Sequence, residues 1–285
     1  MLGAVNGTPM SSSRTERLSQ VPEWHDLNLE KFQAEILPVR HPAVLRGIAR
    51  NWPLVVAALD DPHRSMAMLA AHAANAPIEI LRADPEEQGR FHYRPDGRSL
   101  NFIRGEATLR AFLSALHEHE TRDQPYSIVA QGLIAESYVP GFTRSHPMEL
   151  APPSTKARLW IGNAAKIATH NDPVDNIAIV AVGRRRFTLF PPEAEANLYM
   201  GPSEPTPAGT RVSMVHVTAP DIGTFPLYAR ALETALEAEL SPGDAIFIPR
   251  DWFHHVEALE KINVLVNYWW DAGKEAAQGP VGSIQ

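Results

Sequence analysis

The sequence predicts a mainly β protein with flanking helices, built around a double-stranded β-helix, the jelly roll in which two sheets face each other. Short apolar or alternating segments follow one another through the second half of the chain, and glycine, proline and aspartate separate them. Regularly spaced short strands are typical of sandwiches and barrels, whereas a βαβ fold would place helices between its strands. The jelly roll is therefore the natural candidate.

The first half of the chain predicts an α/β part that packs on the jelly roll. Leu29–Leu37 is amphipathic, and Ser65–Asn75 is rich in alanine, methionine and leucine, which favour helices. Thr108 can N-cap a third helix, because leucine and phenylalanine recur after it at helical spacing. Three short strands are also predicted in this half: Ala43–Arg46, Ile78–Ala83 and Arg90–Tyr93.

The second half predicts a series of short strands. They are Tyr126–Ala130, Arg158–Gly162, Ile167–His170, Ile177–Val182, Arg186–Phe190, Ser213–Val217, Ala245–Ile248, Phe253–Ala258 and Ile262–Trp269. We therefore divide the chain into a disordered tail over 1–20, the N-terminal part over 21–125, the jelly roll over 126–272 and a short tail over 273–285.

The composition narrows the class of protein. The net charge is −7 and no block of like charges runs through the chain, so no electrostatic footprint for nucleic acid is visible. The chain has no cysteine, which excludes disulfides, thiolate metal ligands and cysteine nucleophiles. The N-terminal residues lack the apolar core of a secretory signal, and no run approaches the roughly 20 apolar residues of a membrane span. We expect a cytoplasmic protein without a membrane partner; the charge disfavours nucleic acid, although a nucleic-acid substrate stays open.

A metal site is predicted from His170-Asn171-Asp172 and from His254, much later in the chain. Residues i and i+2 of an extended segment point to the same side, so one imidazole and one carboxylate can converge on a single ion. Two histidines and one carboxylate leave coordination positions open, as non-haem Fe(II) oxygenases require. A closed structural zinc site would need a fourth protein ligand, usually cysteine.

Each part of this pattern is weak when it is taken alone. A His-x-Asp tripeptide occurs by chance in many proteins, and a single histidine is more often a surface or packed residue than a ligand. His254 and His255 are adjacent, so only one of them can face the ion if the segment is a strand. The assignment with His255 as the ligand therefore stays open at this point.

From about His41 to Trp269 the chain resembles the cupin-like JmjC oxygenases, the group that includes the factor-inhibiting-HIF-type asparaginyl hydroxylases. The matching stretches, in the same order and spacing, are HPAVLRGIARNWP, HNDPVDNIAIVAVGRRRFTLFPPEAEANLY and LSPGDAIFIPRDWFHHVEALEKINVLVNYWW. The resemblance implies a double-stranded β-helix, Fe(II), 2-oxoglutarate as cosubstrate, O₂, and hydroxylation, often of a protein side chain. It makes His170, Asp172 and His254 the catalytic metal ligands and leaves His255 as a packed or surface residue.

The resemblance also implies a cosubstrate pocket. Its residues would be Tyr126, Asn176, Arg185, Asn267 and Trp269, with the Tyr126 phenol donating to the distal carboxylate of 2-oxoglutarate. Asn176 and Asn267 would offer amide donors, and the Trp269 indole would pack nearby.

Two positions depart from the family. Arg185 stands where lysine is usual, and a guanidinium can hold a carboxylate through two parallel hydrogen bonds. Alternation predicts that Arg185 faces inward between outward-facing neighbours; the alternative is a hairpin whose three arginines are all solvated. Ile167 stands where the asparaginyl hydroxylase has threonine, so one hydroxyl contact to the cosubstrate is missing.

Three functions compete. The first is a hydroxylase acting on asparagine, aspartate, histidine or lysine side chains of a protein or peptide. The second is an oxygenase acting on a small molecule or a modified RNA base, and the third is a metal-binding cupin module without turnover. Because the chain stops soon after Trp270, the C-terminal helices through which the asparaginyl hydroxylase dimerises are absent, and we expect no dimer by that route.

Overall fold

The computed structural model describes residues 18–207 and 209–271. Its strands are β1 (Ser19–Gln20), β2 (Glu23–Trp24), β3 (Ala43–Leu45), β4 (Pro77–Ala83), β5 (Arg90–Phe91), β6 (Phe102–Thr108), β7 (Ser127–Ile134), β8 (Ala157–Gly162), β9 (Ala165–Asn171), β10 (Asp175–Val182), β11 (Arg185–Phe190), β12 (Leu236–Leu240), β13 (Ala245–Ile248), β14 (Phe253–Ala258) and β15 (Asn263–Trp270).

The α-helices are short and lie mostly in the N-terminal half. They are α1 (Leu29–Lys31), α2 (Pro53–Asp60), α3 (Pro62–His72), α4 (Leu109–His119), α5 (Ala135–Tyr138), α6 (Phe142–Ser145) and α7 (Tyr228–Glu233). Helix α1 continues through a π-helical turn, Phe32–Ile36, into a 3₁₀ turn, Leu37–Val39; further 3₁₀ turns are Pro85–Glu87 and Pro192–Asn197.

Two sheets face each other, as predicted. The small sheet has the order β1-β12-β11-β14-β9-β5, and the large sheet has the order β2-β3-β13-β10-β15-β8-β7-β4-β6. From β8 to β15 the chain passes repeatedly between the two sheets, with β9, β11, β12 and β14 in the small one and β8, β10, β13 and β15 in the large one. This winding is that of a double-stranded β-helix, so the predicted fold class is confirmed.

Strand β10 shows why the large sheet lies at the centre of the molecule. Ile177 and Ile179 pack on the side of the helices, whereas Ala178 and Val180 pack between the two sheets. Every residue of β10 is buried, which explains its nearly continuous apolar sequence. The outer face of the small sheet is covered by the segment between β11 and β12, which packs Tyr228 against the strand end.

Most predicted elements are confirmed, with shifts of a few residues at their ends. The predicted bounds of β13 and β14 agree with the structure, and Thr108 caps α4 by accepting a hydrogen bond from the Ala111 N–H at 3.2 Å. The predicted strand Ser213–Val217 is wrong: only Ser213 forms an isolated bridge, to Met200. The sequence analysis did not predict helices α2, α5, α6 and α7 or strands β2, β6 and β12.

The predicted tails fall largely outside the described residues, which exclude 1–17 and 272–285. Ser19 and Gln20, assigned to the N-terminal tail from the sequence, form β1 and pair in parallel with β12. The division of the chain at residue 126 stays a prediction. Over the described residues, no helix combines the length and apolar character needed to cross a membrane.

Candidate active site

Three side chains converge where β9 ends and β14 begins. His170 and His254 are directly opposite each other in the antiparallel pair of these strands, and Asp172 follows just after β9. The two imidazole centroids lie 4.4 Å apart, and His254 Nε2 lies 3.8 Å from Asp172 Oδ2. One donor atom from each residue lies within 4.8 Å of the other two. The structure thus brings together the three ligands predicted from the sequence, in an arrangement that could hold one metal ion.

Backbone carbonyls orient both histidines. Nδ1 of His170 lies 2.8 Å from the carbonyl of Ala168, and Nδ1 of His254 lies 3.3 Å from the carbonyl of Trp252. A ring that donates from Nδ1 keeps the lone pair on Nε2 for a metal, as the partners of metal-bound histidines usually ensure. Burial, together with the neighbouring His170, lowers the pKa of His254, so its ring is neutral at pH 7.

A β-bulge determines which residues face the candidate metal centre, which is formed by His170, Asp172 and His254. His254 pairs with His170 and Val256 pairs with Ile167, so His255 alone stands opposite two residues of β9. His255 points to the outer face of the small sheet, where it lines a separate small cavity with Lys166. The alternative in which His255 replaces His254 at the metal centre does not match this geometry.

Hydrogen bonds connect the loop between β13 and β14 to residues at the candidate metal centre. The Asp251 N–H donates to the carbonyl of Asp172 at 3.1 Å, and the Arg250 N–H donates to the Asp175 carboxylate at 2.8 Å. Asp175 is buried and forms an ion pair with Arg40 at 2.7 Å. The carboxylate of Asp175 therefore joins the N-terminal part of the chain to the loop that precedes His254.

A cavity of about 70 Å³, partly open to solvent, extends from the cluster of His170, Asp172 and His254 between the two sheets. Its polar lining includes four of the five residues predicted for the cosubstrate pocket. These are Asn176, Arg185, Asn267 and Trp269. Apolar side chains such as Phe187, Ile248 and Leu265 form much of the remaining wall.

Arg185 is the buried cation of this cavity. It is 7% exposed, whereas Arg184 and Arg186 lie outside and form ion pairs with Glu239 at 2.6 and 3.1 Å. The alternative in which all three arginines are solvated is therefore wrong for Arg185. Burial lowers the pKa of Arg185 to about 10, which still leaves the guanidinium charged at neutral pH.

Several buried polar atoms in the cavity wall have no hydrogen-bond partner among the described residues. They are Arg185 Nε, Asn267 Oδ1, Trp160 Nε1 and Trp269 Nε1. None of the described carboxylates lies within 4 Å of the Arg185 guanidinium. Buried polar groups are rarely left unpaired in proteins, and an unpaired buried cation is especially costly. The three N–H donors among them, on Arg185, Trp160 and Trp269, fit a small anionic ligand held between the two sheets.

Tyr126, which was predicted to bind the cosubstrate, does not line this cavity. Its ring packs 4.6 Å below the Arg82 guanidinium and 6.0 Å from the ring of His119. Side chains of a strand alternate between faces, and Tyr126 shares the helix-facing side with Ile128 and Ala130. Structure and prediction therefore differ for Tyr126, because the phenol lies on the other face of the large sheet.

Gln131 and Trp160 line the cavity although the sequence analysis did not single them out. Gln131 lies in β7, five residues after Tyr126 and on the opposite face of the sheet. Trp160 stands opposite Leu265 of β15, whose side chain also faces the cavity. Alternation along each strand was the signal that could have found both residues.

Ile167 lines the cavity, as the sequence comparison with the family suggested, and it offers no hydroxyl there. Thr169 is fully buried on the far side of the bulge, and its hydroxyl has no partner among the described residues. The bulge therefore keeps the nearest hydroxyl of β9 out of the cavity.

Comparison with known proteins gives several relatives of similar sequence. The chain is 35% identical over 114 residues to the lysine-specific demethylase JMJ31 of Arabidopsis thaliana. It is 24% identical over 274 residues to the tRNA wybutosine-synthesizing protein 5 of Danio rerio, and 27% identical over 255 residues to the lysine-specific demethylase 8 of the same organism.

These matches cover the relatives unequally. The alignment with the Arabidopsis protein spans 40% of this chain and 20% of that relative. The alignment with the wybutosine-synthesizing protein spans 88% of this chain and 75% of the relative, and the alignment with demethylase 8 spans 88% of this chain and 58% of the relative. Two of these three relatives are thus matched over less than two thirds of their own length.

A family-level comparison covers most of the sequence. The model of the cupin-like domain matches residues 29–276, a span that contains both sheets from β3 onward, the three convergent ligands and the whole cavity. The chain belongs to the cupin-like domain family, and its relatives include proteins named lysine-specific demethylases.

Proposed function

We propose that this chain is an Fe(II)- and 2-oxoglutarate-dependent dioxygenase that hydroxylates an unactivated C–H bond. One observation carries the proposal: a single cavity has a two-histidine, one-carboxylate cluster at one end and the buried, unpaired guanidinium of Arg185 at the other. The first arrangement suits a ferrous ion with open positions, and the second suits the far carboxylate of a dicarboxylic acid.

The strand register supports a ligand that bridges these two groups. Arg185 pairs with Ala258, which lies four residues beyond His254 on β14. Four strand residues span roughly 13 Å. The side chains of Arg185 and His254 both reach into the cavity between these two positions. A short dicarboxylate such as 2-oxoglutarate fits this separation better than a monocarboxylate.

Each group of residues has a distinct task in this proposal. His170, Asp172 and His254 would hold the iron, which supplies the oxygen chemistry when bound. Arg185 binds and orients the distal carboxylate, while the indole N–H groups of Trp160 and Trp269 are available as further donors. The apolar wall excludes water from the reacting centre. The overall reaction converts 2-oxoglutarate, O₂ and a C–H bond into succinate, CO₂ and a C–OH group.

We favour a protein or peptide side chain (asparagine, aspartate, histidine or lysine) as the substrate. Two of the compared relatives are named lysine-specific demethylases, which is consistent with a protein substrate. The net charge of −7 disfavours a polyanionic partner, because nucleic-acid binding draws most of its affinity from basic residues.

A modified RNA base is the second candidate. The wybutosine-synthesizing relative, whose name refers to tRNA, is matched over 88% of this chain and 75% of its own length. That coverage is the specific observation in favour of an RNA substrate, and it is set against the acidic charge.

The enzymatic proposal is tested by succinate formation from 2-oxoglutarate with added Fe(II). We expect slow turnover without substrate in the wild type and a loss of at least about 100-fold in Asp172→Ala, because a metal ligand is removed. Asp123→Ala, an exposed aspartate that does not line the cavity, is the matched control. Equal rates in the wild type and Asp172→Ala would refute the proposal, and absence of metal-dependent succinate in the wild type would favour a metal-binding module without turnover.

The substrate is tested by incubating the active protein with peptide pools and, separately, with total tRNA. A gain of about 16 daltons on a peptide, dependent on 2-oxoglutarate, would support a protein hydroxylase. The same gain confined to a tRNA nucleoside would replace the first candidate with the second.

A further inference from the structure

We propose that His63, His117 and Glu120 form a second metal site, separate from the cavity, that binds zinc. His63 lies in the first turn of α3, His117 in the last turn of α4, and Glu120 directly follows α4. One donor atom from each lies within 4.8 Å of the other two. The site joins two helices that pack on each other in the N-terminal part.

The distances within this cluster suit zinc. His63 Nε2 lies 3.6 Å from Glu120 Oε2, and His117 Nδ1 lies 3.2 Å from the same oxygen. Zinc binds histidine nitrogen and carboxylate oxygen at 2.0–2.2 Å, so two ligands of a tetrahedral ion are about 3.4 Å apart. Both distances lie close to that value without any movement of the chain.

A simpler explanation accounts for only part of this geometry. A hydrogen bond between His117 and Glu120 is common one turn apart at a helix end. It does not explain why a second imidazole, from another helix, approaches the same carboxylate oxygen. The His63 and His117 rings are 5.0 Å apart and nearly perpendicular, so both can direct a nitrogen to one point beside Glu120.

The backbone around the cluster is already fixed. The Asp61 carboxylate caps α3 by accepting from the His63 N–H at 2.9 Å. The Lys261 ammonium donates to the carbonyl of Glu120 at 2.9 Å, which ties the end of α4 to the turn between β14 and β15. A metal held by these ligands would therefore brace α3 and α4 against the jelly roll.

The site is open to solvent at one side. The side chains of His63 and His117 are 47% and 70% exposed, whereas that of Glu120 is 17% exposed. His63 and Glu120 line a shallow depression of about 380 Å³ between α3 and the β14–β15 turn. Water can complete the coordination sphere from there, and two imidazoles with one carboxylate are ligands that zinc accepts readily.

The test counts zinc bound per chain after dialysis against buffered micromolar zinc. The wild type should bind two equivalents, one in the cavity and one at the α3–α4 site, and His63→Ala/His117→Ala should bind one. His72→Ala, an exposed histidine at the other end of α3, is the matched control and should still bind two. Loss of the cavity equivalent in Asp172→Ala is a separate result that concerns the proposed oxygenase.

The position of the ion provides an independent measurement. Anomalous diffraction at the zinc edge should show a peak between His63, His117 and Glu120, and Glu120→Gln should weaken that peak while circular dichroism stays unchanged. Thermal unfolding of the wild type should shift upward with zinc by more than that of the double variant. Equal zinc counts in the wild type and the double variant, or a second zinc peak that lies neither in the cavity nor between His63, His117 and Glu120, would overturn the proposal.

Discussion

At the scale of single residues, Arg185 links the sequence, the cavity and the proposed chemistry. Its guanidinium is buried between two sheets, with no described carboxylate within reach, while its two neighbours are paired outside. A buried, unpaired charge destabilises a fold unless a ligand compensates for it. The presence of arginine here is easier to explain by ligand binding than by folding.

Replacement of this arginine should separate binding from stability. We expect Arg185→Met to raise the KM for 2-oxoglutarate by roughly 10- to 100-fold, because hydrogen bonds to a charged group contribute about 1.5–3 kcal/mol. The free energy of unfolding should stay equal or rise, since the buried cation is removed. Arg185→Lys keeps the charge and should lose less affinity.

The two measurements for this prediction are steady-state kinetics and urea unfolding without ligand. A large loss of stability with an unchanged KM would show that Arg185 supports the fold and not the cosubstrate.

Residue-level prediction was accurate where the backbone pattern is simple. His170 and Asp172 are two residues apart at a strand end, and that spacing alone places them on one side. Tyr126 was assigned to the pocket through the family resemblance. It directly precedes β7, however, and the alternation of side chains along that strand puts it with Ile128 on the helix-facing side. The cavity-facing residue of that strand is Gln131, and a strict use of alternation would have identified it.

At the scale of elements, the turn between β10 and β11 sets the direction of Arg185. Gly183 has a φ of +76°, and a Cβ there would lie 2.5 Å from Asn263 Oδ1 and 2.6 Å from the carbonyl of Ile262. Only glycine fits this turn without displacing the neighbouring strand.

We therefore expect Gly183→Ala to lower the free energy of unfolding by about 1–3 kcal/mol and to reduce cosubstrate affinity. Gly141→Ala is the matched control, because Gly141 has a φ of +85° but no atom within 4 Å of the position that a Cβ would take. Its backbone cost is similar, so the difference between the variants isolates the steric clash. Equal losses of stability in urea titrations would contradict this reading of the turn.

Elements with buried faces were predicted well, and elements that depend on partners were not. Strands β13 and β14 are completely buried, and their predicted bounds agree with the structure. Strand β12 alternates apolar residues with Glu237 and Glu239, which face outward, where Glu239 pairs with Arg184. Because leucine, alanine and glutamate all favour helices, this short stretch does not stand out as a strand. Strand β6 is mostly exposed and forms only because β4 lies beside it.

The wrong strand, Ser213–Val217, shows the opposite effect. Its residues alternate, but one bridge to Met200 is the only ladder pairing that the described neighbours provide. The Ser213 hydroxyl instead donates to the carbonyl of Leu198 at 2.6 Å and accepts from the Val215 N–H at 3.0 Å. Local side-chain hydrogen bonds thus compete with strand pairing, and a single sequence does not show which will prevail.

At the scale of the whole molecule, the large sheet runs from the jelly-roll strands into strands of the N-terminal half. Strand β3 pairs with β13, and β7 and β4 extend the sheet beyond β8. Arg40 adds a charged contact to Asp175 beside the metal centre. The two halves are therefore coupled, and stability measured anywhere in the molecule bears on the site.

His146 makes this coupled stability depend on pH. It is buried where α6 meets the start of α2, and its Nε2 accepts from the Leu54 N–H at 3.2 Å while Nδ1 lies 3.0 Å from the carbonyl of Phe142. Only a neutral ring can accept at one nitrogen and donate from the other. Burial accordingly lowers the pKa of His146 below the ordinary value of 6.5.

The direction of the effect follows from linkage. The pKa of His146 is lower in the folded chain than in the unfolded chain. Its contribution to the free energy of unfolding is therefore fully present above pH 6.5 and is lost as the pH falls from 6.5 toward the folded pKa. In that pH window, one such histidine can lower the free energy of unfolding by up to about 1.4 kcal/mol per pH unit. His146→Gln, whose side chain does not titrate, should be less stable at pH 7.5 but should lose less stability on acidification. Urea unfolding at pH 7.5, 6.5 and 5.5 measures how the free energy of unfolding of each protein changes with pH. An equal change in the wild type and the variant would contradict the prediction, because it would mean that His146 has the same pKa in the folded and the unfolded chain.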